Sequence, residues 1–236
     1  NTNLIKKSIK SFQTQLYKNK EHIIMDGGSI DGTIEVIRKF KKKNLILFTS
    51  SDKGIYDALN KGIKLSSGEI VGILHSDDFY KDNKVLKTIA ETFKKTDADL
   101  VYGDLVYVNK KSPFKVLRYW KAGKYLEKNL FNGWMPPHPT VFIKRSVFNR
   151  IGKYKTKYHI SSDYDFLVRV LRQKNIKTVY IPKILVNMRI GGVSNNSIKN
   201  LFIKSIEDFK IIKTNKIGGF LTLLNKNFSK ISQFLN

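Results

Sequence analysis

Two adjacent carboxylates, Asp77 and Asp78, stand just past the apolar run Ile70-Val71-Gly72-Ile73-Leu74. Like charges at a strand end repel unless a cation or a set of donors compensates them. Mg²⁺ or Mn²⁺ is a natural compensator, because it takes oxygen ligands and completes its shell with substrate phosphates. The competing role for the pair is to cap the helix pattern that starts near Lys84. Asp26 and Asp31 bracket the turn Gly27-Gly28-Ser29-Ile30. Glycines there permit close backbone approach, and a carboxylate accepts hydrogen bonds from a base or ribose. Ordinary turn chemistry, with Ser29 or Asp31 capping a helix from Thr33, competes with that role. Lys53 precedes another helix, where a cation meets a diphosphate or simply faces solvent. Asp163, in Ser161-Ser162-Asp163-Tyr164-Asp165, begins a helix and suits either a general base or a cap. His138 lies between prolines with no second histidine at ligand spacing, which fits a structural or substrate contact better than a metal ligand.

These residues need a frame. A helix pattern over Leu4, Ile5, Ile9, Phe12 and Leu16 leads to an apolar run at His22–Met25, and helical periodicity resumes after Thr33. The same alternation repeats. Leu45–Phe48 reads as a strand, Tyr56–Lys64 as a helix, Ile70–Leu74 as a strand and Val85–Phe93 as a helix. Such alternation implies crossover units and a mostly parallel sheet, whose ligand crevice lies at the carboxyl ends of the strands. From Leu100 the grammar changes. Leu100–Val108 and Lys115–Tyr119 read as consecutive strands, followed by the aromatic and proline-rich stretch Trp134–Pro139. A helix near Tyr164–Arg172, strands near Val179–Ile181 and Ile184–Met188, and the turn Gly191-Gly192 come next. Two amphipathic segments finish the chain. Ile198, Leu201, Phe202, Ile206 and Phe209 share one helical face; Phe220, Leu224, Phe228, Ile231 and Leu235 share another. Packing on the core is the reading for the first, while core and an anionic bilayer compete for the second.

The composition narrows the classes. At 236 residues and 41% hydrophobic, the chain buries one substantial core. The absence of cysteine rules out disulfides, thiolate zinc sites and cysteine nucleophiles. Lys and Arg number 44 against 19 Asp and Glu, a net charge of +25 that attracts polyanions. The excess is mostly lysine spread along the chain, a pattern closer to a membrane surface or compositional drift than to nucleic-acid recognition. No apolar run reaches the roughly 18 residues of a spanning helix.

Taken in order, the stretches Glu21–Thr33, Asp52–Gly62, Ser76-Asp77-Asp78 and Ser162-Asp163-Tyr164-Asp165 resemble the family-2 glycosyltransferases. These are inverting enzymes of GT-A fold that include capsule and O-antigen synthesis proteins. The resemblance implies an α/β fold with helices flanking a mostly parallel central sheet, and Mn²⁺ or Mg²⁺ beside a nucleotide-diphospho-sugar donor. By the same resemblance Asp26 contacts the base, usually uracil, Lys53 lies near the nucleotide, Asp77 near the ribose, and Asp78 binds the metal. Asp163 is then the catalytic base for direct, inverting displacement. Two positions depart from the family pattern: Asp26-Gly27 replaces paired acids, and Ser162 replaces a frequent glutamate. Family members usually open with a hydrophobic strand ending in a polar turn. The chain starts instead at a helix, so the expectation is a partial product with two exposed strand edges and impaired folding or activity.

The resulting expectations are a catalytic domain over residues 1–196 and a C-terminal amphipathic helical extension over residues 197–236. The enzyme is a metal-dependent, inverting hexosyltransferase using a UDP-sugar and a glycan or lipid-linked acceptor in cell-surface polysaccharide synthesis. It is cytoplasmic, with the inner face of the plasma membrane as an anionic partner surface, and no nucleic acid is expected. The alternatives are a basic nucleic-acid-binding protein and a metal-dependent nucleotide-sugar phosphohydrolase. Donor sugar, acceptor, linkage and oligomeric state are not written in the residues.

Overall fold

The structure is a computed structural model that describes residues 2–40, 44–110, 112, 115–191 and 197–229. Its frame is strand β5 (Leu100–Val108), whose nine residues are all buried except Tyr107. Successive side chains of a strand point to opposite faces. Leu100 and Tyr102 accordingly pack into one apolar cluster, with Phe166, Leu167 and Val170, while Val101 and Leu105 enter a second, with Ile89, Phe93 and Leu185. A strand buried on both faces reads as a continuous apolar run, as this one does.

Around β5 stand β3 (Ile70–Gly72), β4 (Phe79–Tyr80), β6 (Val116–Trp120), β7 (Phe142–Lys144) and β8 (Thr178–Arg189), with the order β3-β7-β5-β8-β4 and β6 also on β5. In place of the mostly parallel sheet expected from the alternating elements, this sheet is mixed. Only β5 and β8 run parallel within it; β3–β7, β5–β7, β5–β6 and β4–β8 are antiparallel. The difference arises after Leu100, where β6 and β7 come back along the sheet from loops and short helices rather than from long crossovers. The two strands expected near Val179 and Ile184 are one strand. Its register against β5 shifts at Gly103 and Asp104, which absorbs Pro182 and Lys183 as a bulge.

A second, two-stranded sheet joins β1 (His22–Asp26) in parallel to β2 (Leu45–Thr49). Among the described residues β1 makes no ladder with β3, yet residues of both strands line the same cavity. Two features hold the sheets together. Helix α1 (Thr2–Gln13) places Ile5 and Ile9 against Ile24 and Leu45 of the small sheet and Phe12 in the cluster of the large one. At the strand entries, the Glu21 carboxylate accepts from the backbone N–H groups of Ser67 and Gly68, each at 2.7 Å, and from the Ser67 hydroxyl at 3.1 Å.

The remaining helices are α2 (Thr33–Lys39), α3 (Ile55–Leu65), α4 (Val85–Thr96), α5 (Glu127–Phe131), α6 (Arg145–Ile151), α7 (Ser162–Leu171), α8 (Ile198–Thr214) and α9 (Phe220–Phe228). Helix α8 does not seat the face expected from its apolar spacing. Ile198, Leu201, Phe202 and Ile206 are exposed, while Glu207, Asp208, Ile211 and Ile212 face inward. The two acids turn inward because each meets donors there. Ile211 and Ile212 share a cluster with Tyr164, Val168 and Leu223, which seats α8 and α9 on α7. Ile231 and Leu235 of the second amphipathic face lie outside the described residues.

Because the Glu21 carboxylate takes three donors across the gap between sheets, Glu21→Ala is expected to cost about 1 to 3 kcal/mol. Amide exchange should quicken in β1 and β2 more than in β5 and β8. Uniform acceleration across all four strands would show that Glu21 does not join the sheets.

Candidate active site

A cavity of about 1380 Å³ opens between the two sheets and the helices α7 to α9. Asp77, Asp78 and Asp163 all line it, so the fold brings the acidic pair and the distant helix-borne carboxylate into one space. Asp26 and Lys53 are not among its lining residues, although Met25 and Gly54, their chain neighbours, are. The Asp26 carboxylate accepts from the backbone N–H groups of Gly28 at 2.9 Å and Ser29 at 2.8 Å, which shapes the glycine turn. Lys53 is exposed, and its backbone N–H donates to Asp57 at 3.1 Å.

Asp78 is almost fully buried. Oδ1 accepts from the backbone N–H of Arg189 at 3.2 Å, while Oδ2 is buried with no hydrogen-bond partner. Burial, reinforced by the Asp77 charge, pushes this carboxyl well above the usual carboxylate range. A buried carboxylate oxygen without a partner calls for a proton or a cation. Neither Asp77 nor Asp78 caps α4: the residue before that helix is Lys84, whose N–H donates to Asp82 at 2.7 Å.

Asp163 stands in the first turn of α7, with Oδ1 3.2 Å from the Tyr56 hydroxyl and accepting from the Tyr164 N–H at 2.8 Å. The Tyr56 hydroxyl donates to the Ile160 carbonyl at 2.6 Å. Burial, and then the Asp163 charge, push that phenol far up, so it stays a neutral O–H. The two acids of Ser-Ser-Asp-Tyr-Asp have different tasks. Asp165 is fully buried and paired with Lys155 at 3.0 Å and Arg169 at 2.7 Å, whereas Asp163 faces the cavity. His138 meets the cavity too, with Nε2 2.8 Å from the Tyr154 hydroxyl and its ring edge-on to Tyr154, which suits a packed residue.

Three participants are absent from the sequence reading. Arg189, the last residue of β8, donates from Nη1 to the Asp77 carbonyl and lies 5.0 Å from the Phe79 ring centre. It reaches the acidic pair only because β4 pairs with β8, and β4 is a two-residue strand with no periodicity of its own. Tyr56 comes from the helix entered at Lys53-Gly54, a stretch the resemblance covered without assigning it. Glu207 of α8 accepts from three successive N–H groups at the entry to α7: His159 at 2.7 Å, Ile160 at 2.9 Å and Ser161 at 2.9 Å. A carboxylate beside the positive end of a helix is favourable, and this one fixes the turn that presents Asp163.

The frame of a mixed sheet flanked by helices, with the acidic pair and Asp163 lining one cavity, is that of the GT-A glycosyltransferases. Residues 2–175 match Glycosyl transferase family 2, and the chain belongs to that family. It is a glycosyltransferase. A PGL/p-HBAD biosynthesis glycosyltransferase of Mycobacterium bovis is 28% identical over 203 residues, covering 84% of this chain and 77% of that protein. An uncharacterized glycosyltransferase of Rickettsia typhi is 27% identical over 233 residues, covering 95% of this chain and 69% of the relative. Among solved structures, S. aureus TarS 1-349 in complex with UDP-GlcNAc superposes with TM-score 0.70 at 18% identity, over 99% of this chain and 68% of TarS 1-349. The mannosyltransferase PcManGT of Pyrobaculum calidifontis, in complex with GDP-Man and Mn²⁺, gives 0.64 at 16%, over 91% and 60%. Family membership takes precedence over a basic nucleic-acid-binding protein and over a phosphohydrolase.

The cavity walls also carry buried neutral imidazoles. Burial lowers both His22 and His138 to about 4, from 6.5. Below about 6.5 the unfolded chain takes up protons that the native state refuses, so stability falls as pH drops from about 6.5 toward 4. Each histidine contributes on the order of 3 kcal/mol to that loss. Melting temperatures that stay level from pH 7 to pH 5 would contradict it. Glu207→Ala should leave three N–H groups short of a partner, cost about 2 to 4 kcal/mol and slow turnover through misplacement of Asp163. Turnover unchanged in a folded variant would remove Glu207 from that role.

Proposed function

We propose that the chain transfers a sugar from a nucleotide-diphosphate donor, a UDP-sugar, to a hydroxyl of a glycan or lipid-linked acceptor with inversion. The observation that carries this reading is the convergence of Asp77, Asp78 and Asp163, from separate stretches of chain, on one cavity. The donors held by the GT-A neighbours, UDP-GlcNAc in one and GDP-Man with Mn²⁺ in another, support the donor class.

In this reading Asp26 and Lys53 serve the nucleotide, Asp77 the ribose and Asp78 the metal. The unpartnered Asp78 Oδ2 fits a divalent cation. Among the described residues no group of three or more His, Cys, Asp or Glu side chains stands ready for a metal, which suits an ion completed by donor phosphates. Asp78 would hold Mn²⁺ or Mg²⁺, whose charge would offset that building on the leaving diphosphate. Asp163 takes the proton of the acceptor hydroxyl as that oxygen bonds to the anomeric carbon and the bond from that carbon to the phosphate oxygen breaks. One displacement inverts the configuration. Tyr56, neutral and anchored on the Ile160 carbonyl, steers Asp163 without competing for the proton.

The acceptor side of the reading places the enzyme at the inner face of a membrane, in synthesis of a surface polysaccharide. Ile198, Phe202, Phe220, Leu221 and Phe228 are exposed on α8 and α9, with Lys199, Lys210 and Lys213 exposed on α8 as well. Apolar side chains inserted among anionic headgroups with lysines above them describe an interfacial helix pair. No helix among the described residues is long and apolar enough to cross a membrane.

Calorimetric titration of UDP with and without Mn²⁺ tests the donor site: binding should require the metal and be lost in Asp78→Ala. Asp163→Asn should retain UDP binding and lose about 10²- to 10⁴-fold in transfer, the usual worth of a general base. Metal-independent binding that survives Asp78→Ala would displace the acidic pair from its role. For the membrane face, vesicles containing phosphatidylglycerol should retain the protein at low salt and release Phe202→Glu/Phe220→Glu. Equal retention of both proteins would remove the helices from that role.

A further inference from the structure

Residues 152–161, between α6 and α7, form neither helix nor strand and lead straight into the turn that carries Asp163. Backbone groups of such a segment need partners from elsewhere when they leave water. Helix α3 supplies several of them. Asn60 clamps Tyr154 at two points: its Nδ2 donates to the Tyr154 carbonyl at 2.8 Å, and its Oδ1 accepts from the Tyr154 N–H at 3.0 Å. Tyr56, one turn earlier on the same face of the helix, donates to the Ile160 carbonyl at 2.6 Å and stands 3.2 Å from Asp163 Oδ1.

The neighbouring face of α3 holds the loop that enters it. Asp57 Oδ2 accepts from the Lys53 N–H at 3.1 Å, the Lys61 ammonium donates to the Ser51 carbonyl at 2.9 Å, and the two side chains pair at 3.0 Å. Asp52, in the same loop, accepts from the Gly54 N–H at 2.9 Å and abuts the glycine turn after Asp26: a Cβ on Gly27 would fall 2.6 Å from Asp52 Oδ2. One helix thus grips both the loop assigned to the nucleotide and the segment leading to the candidate base. Core packing does not require this, because Tyr56 and Ile63 already seat α3 in the apolar cluster of Phe166 and Leu167. Apolar contact tolerates sliding and rotation, whereas directional hydrogen bonds at two points on one backbone residue do not.

We propose that Asn60 is a positioning residue for Asp163, and that α3 links the nucleotide loop to the candidate base. Nucleotide held at the Asp26 and Lys53 turns fixes the α3 entry. Asn60 and Tyr56 carry that constraint along a rigid helix to residues 154–160, and so to the turn that presents Asp163. Glu207 fixes the same segment against α8; α3 supplies the part of its hold that the donor can change. The inference rests on the donor reading above and adds to it: the nucleotide, besides delivering the sugar, helps to place the base.

Amide exchange read by mass spectrometry, with and without UDP and Mn²⁺, tests the link; UDP carries no sugar that could touch Asp163 itself. Rates are taken relative to α4, so that general stabilisation by a bound ligand cancels. In the wild type UDP should slow exchange at residues 26–33 and 52–56. It should also slow residues 157–164 by about fivefold or more, the low end of an ordinary coupling between sites. Asn60→Ala and Asn60→Asp, the second keeping an acceptor for the Tyr154 N–H, should keep the slowing at the two turns and lose it at 157–164. Melting curves check the fold of both variants, and the wild-type comparison decides the link even where a variant fails to fold. Slowing confined to the turns in the wild type overturns the link; slowing at 157–164 that survives in folded variants overturns the role of Asn60. Absence of slowing at the turns themselves removes the donor reading on which the link rests, so the two failures are distinct.

Discussion

The cavity depends on how the fold holds carboxylates out of water with incomplete partners. Asp78 is nearly inaccessible, keeps one oxygen unmatched and sits next to a second acid, a combination that favours protonation unless a cation arrives. The available protein cation is Arg189, but its side chain donates to the Asp77 backbone carbonyl rather than to either carboxylate oxygen. Its backbone N–H serves Asp78 Oδ1 instead. Arg189 therefore does not offset the burial of the pair, and Asp78 Oδ2 is left to a proton or an arriving cation.

The same economy appears in the supporting structure. Glu21 and Glu207 each collect several donors from a chain segment entering an element, and each fixes a junction that apolar packing alone leaves loose. Glu21 spans two sheets whose facing strands make no ladder among the described residues; Glu207 spans the entry to α7 and α8. Carboxylates with several backbone partners hold tighter geometry than one ion pair, because each further bond removes a direction of movement. Surface lysines, numerous as they are, play little part in either junction.

Much of this was legible in the residues, and the boundary is instructive. Asp77-Asp78 and Asp163 each read locally as either a site residue or a helix cap, and only their order along the chain singled them out; that they share one cavity is shown by the fold alone, while Leu100–Val108 was legible as a strand. Tyr56, Arg189 and Glu207 were not, because their roles exist only through pairing: Arg189 through the β4–β8 ladder, Glu207 through the seat of α8 on α7. Periodicity also misplaced α8. Its apolar stripe predicted burial of Ile198, Phe202 and Ile206, yet the acids Glu207 and Asp208 face inward because N–H groups and an ammonium await them there. Hydrophobic spacing locates a buried face only where no specific polar contact outbids it.

That reversal bears on how the C-terminal helices work. By turning Glu207 and Asp208 inward together with Ile211 and Ile212, the helix leaves Ile198, Leu201, Phe202 and Ile206 on the outside, so one rotation sets both surfaces. Facing inward, Glu207 fixes the turn before Asp163 and Asp208 reaches the cavity wall; facing outward, Phe202 and Ile198 are exposed above a field of lysines. Had the apolar stripe been seated on the core, the entry to α7 would lack its Glu207 brace. The orientation of α8 thus couples the position of the candidate base to the surface through which a membrane-borne acceptor would approach.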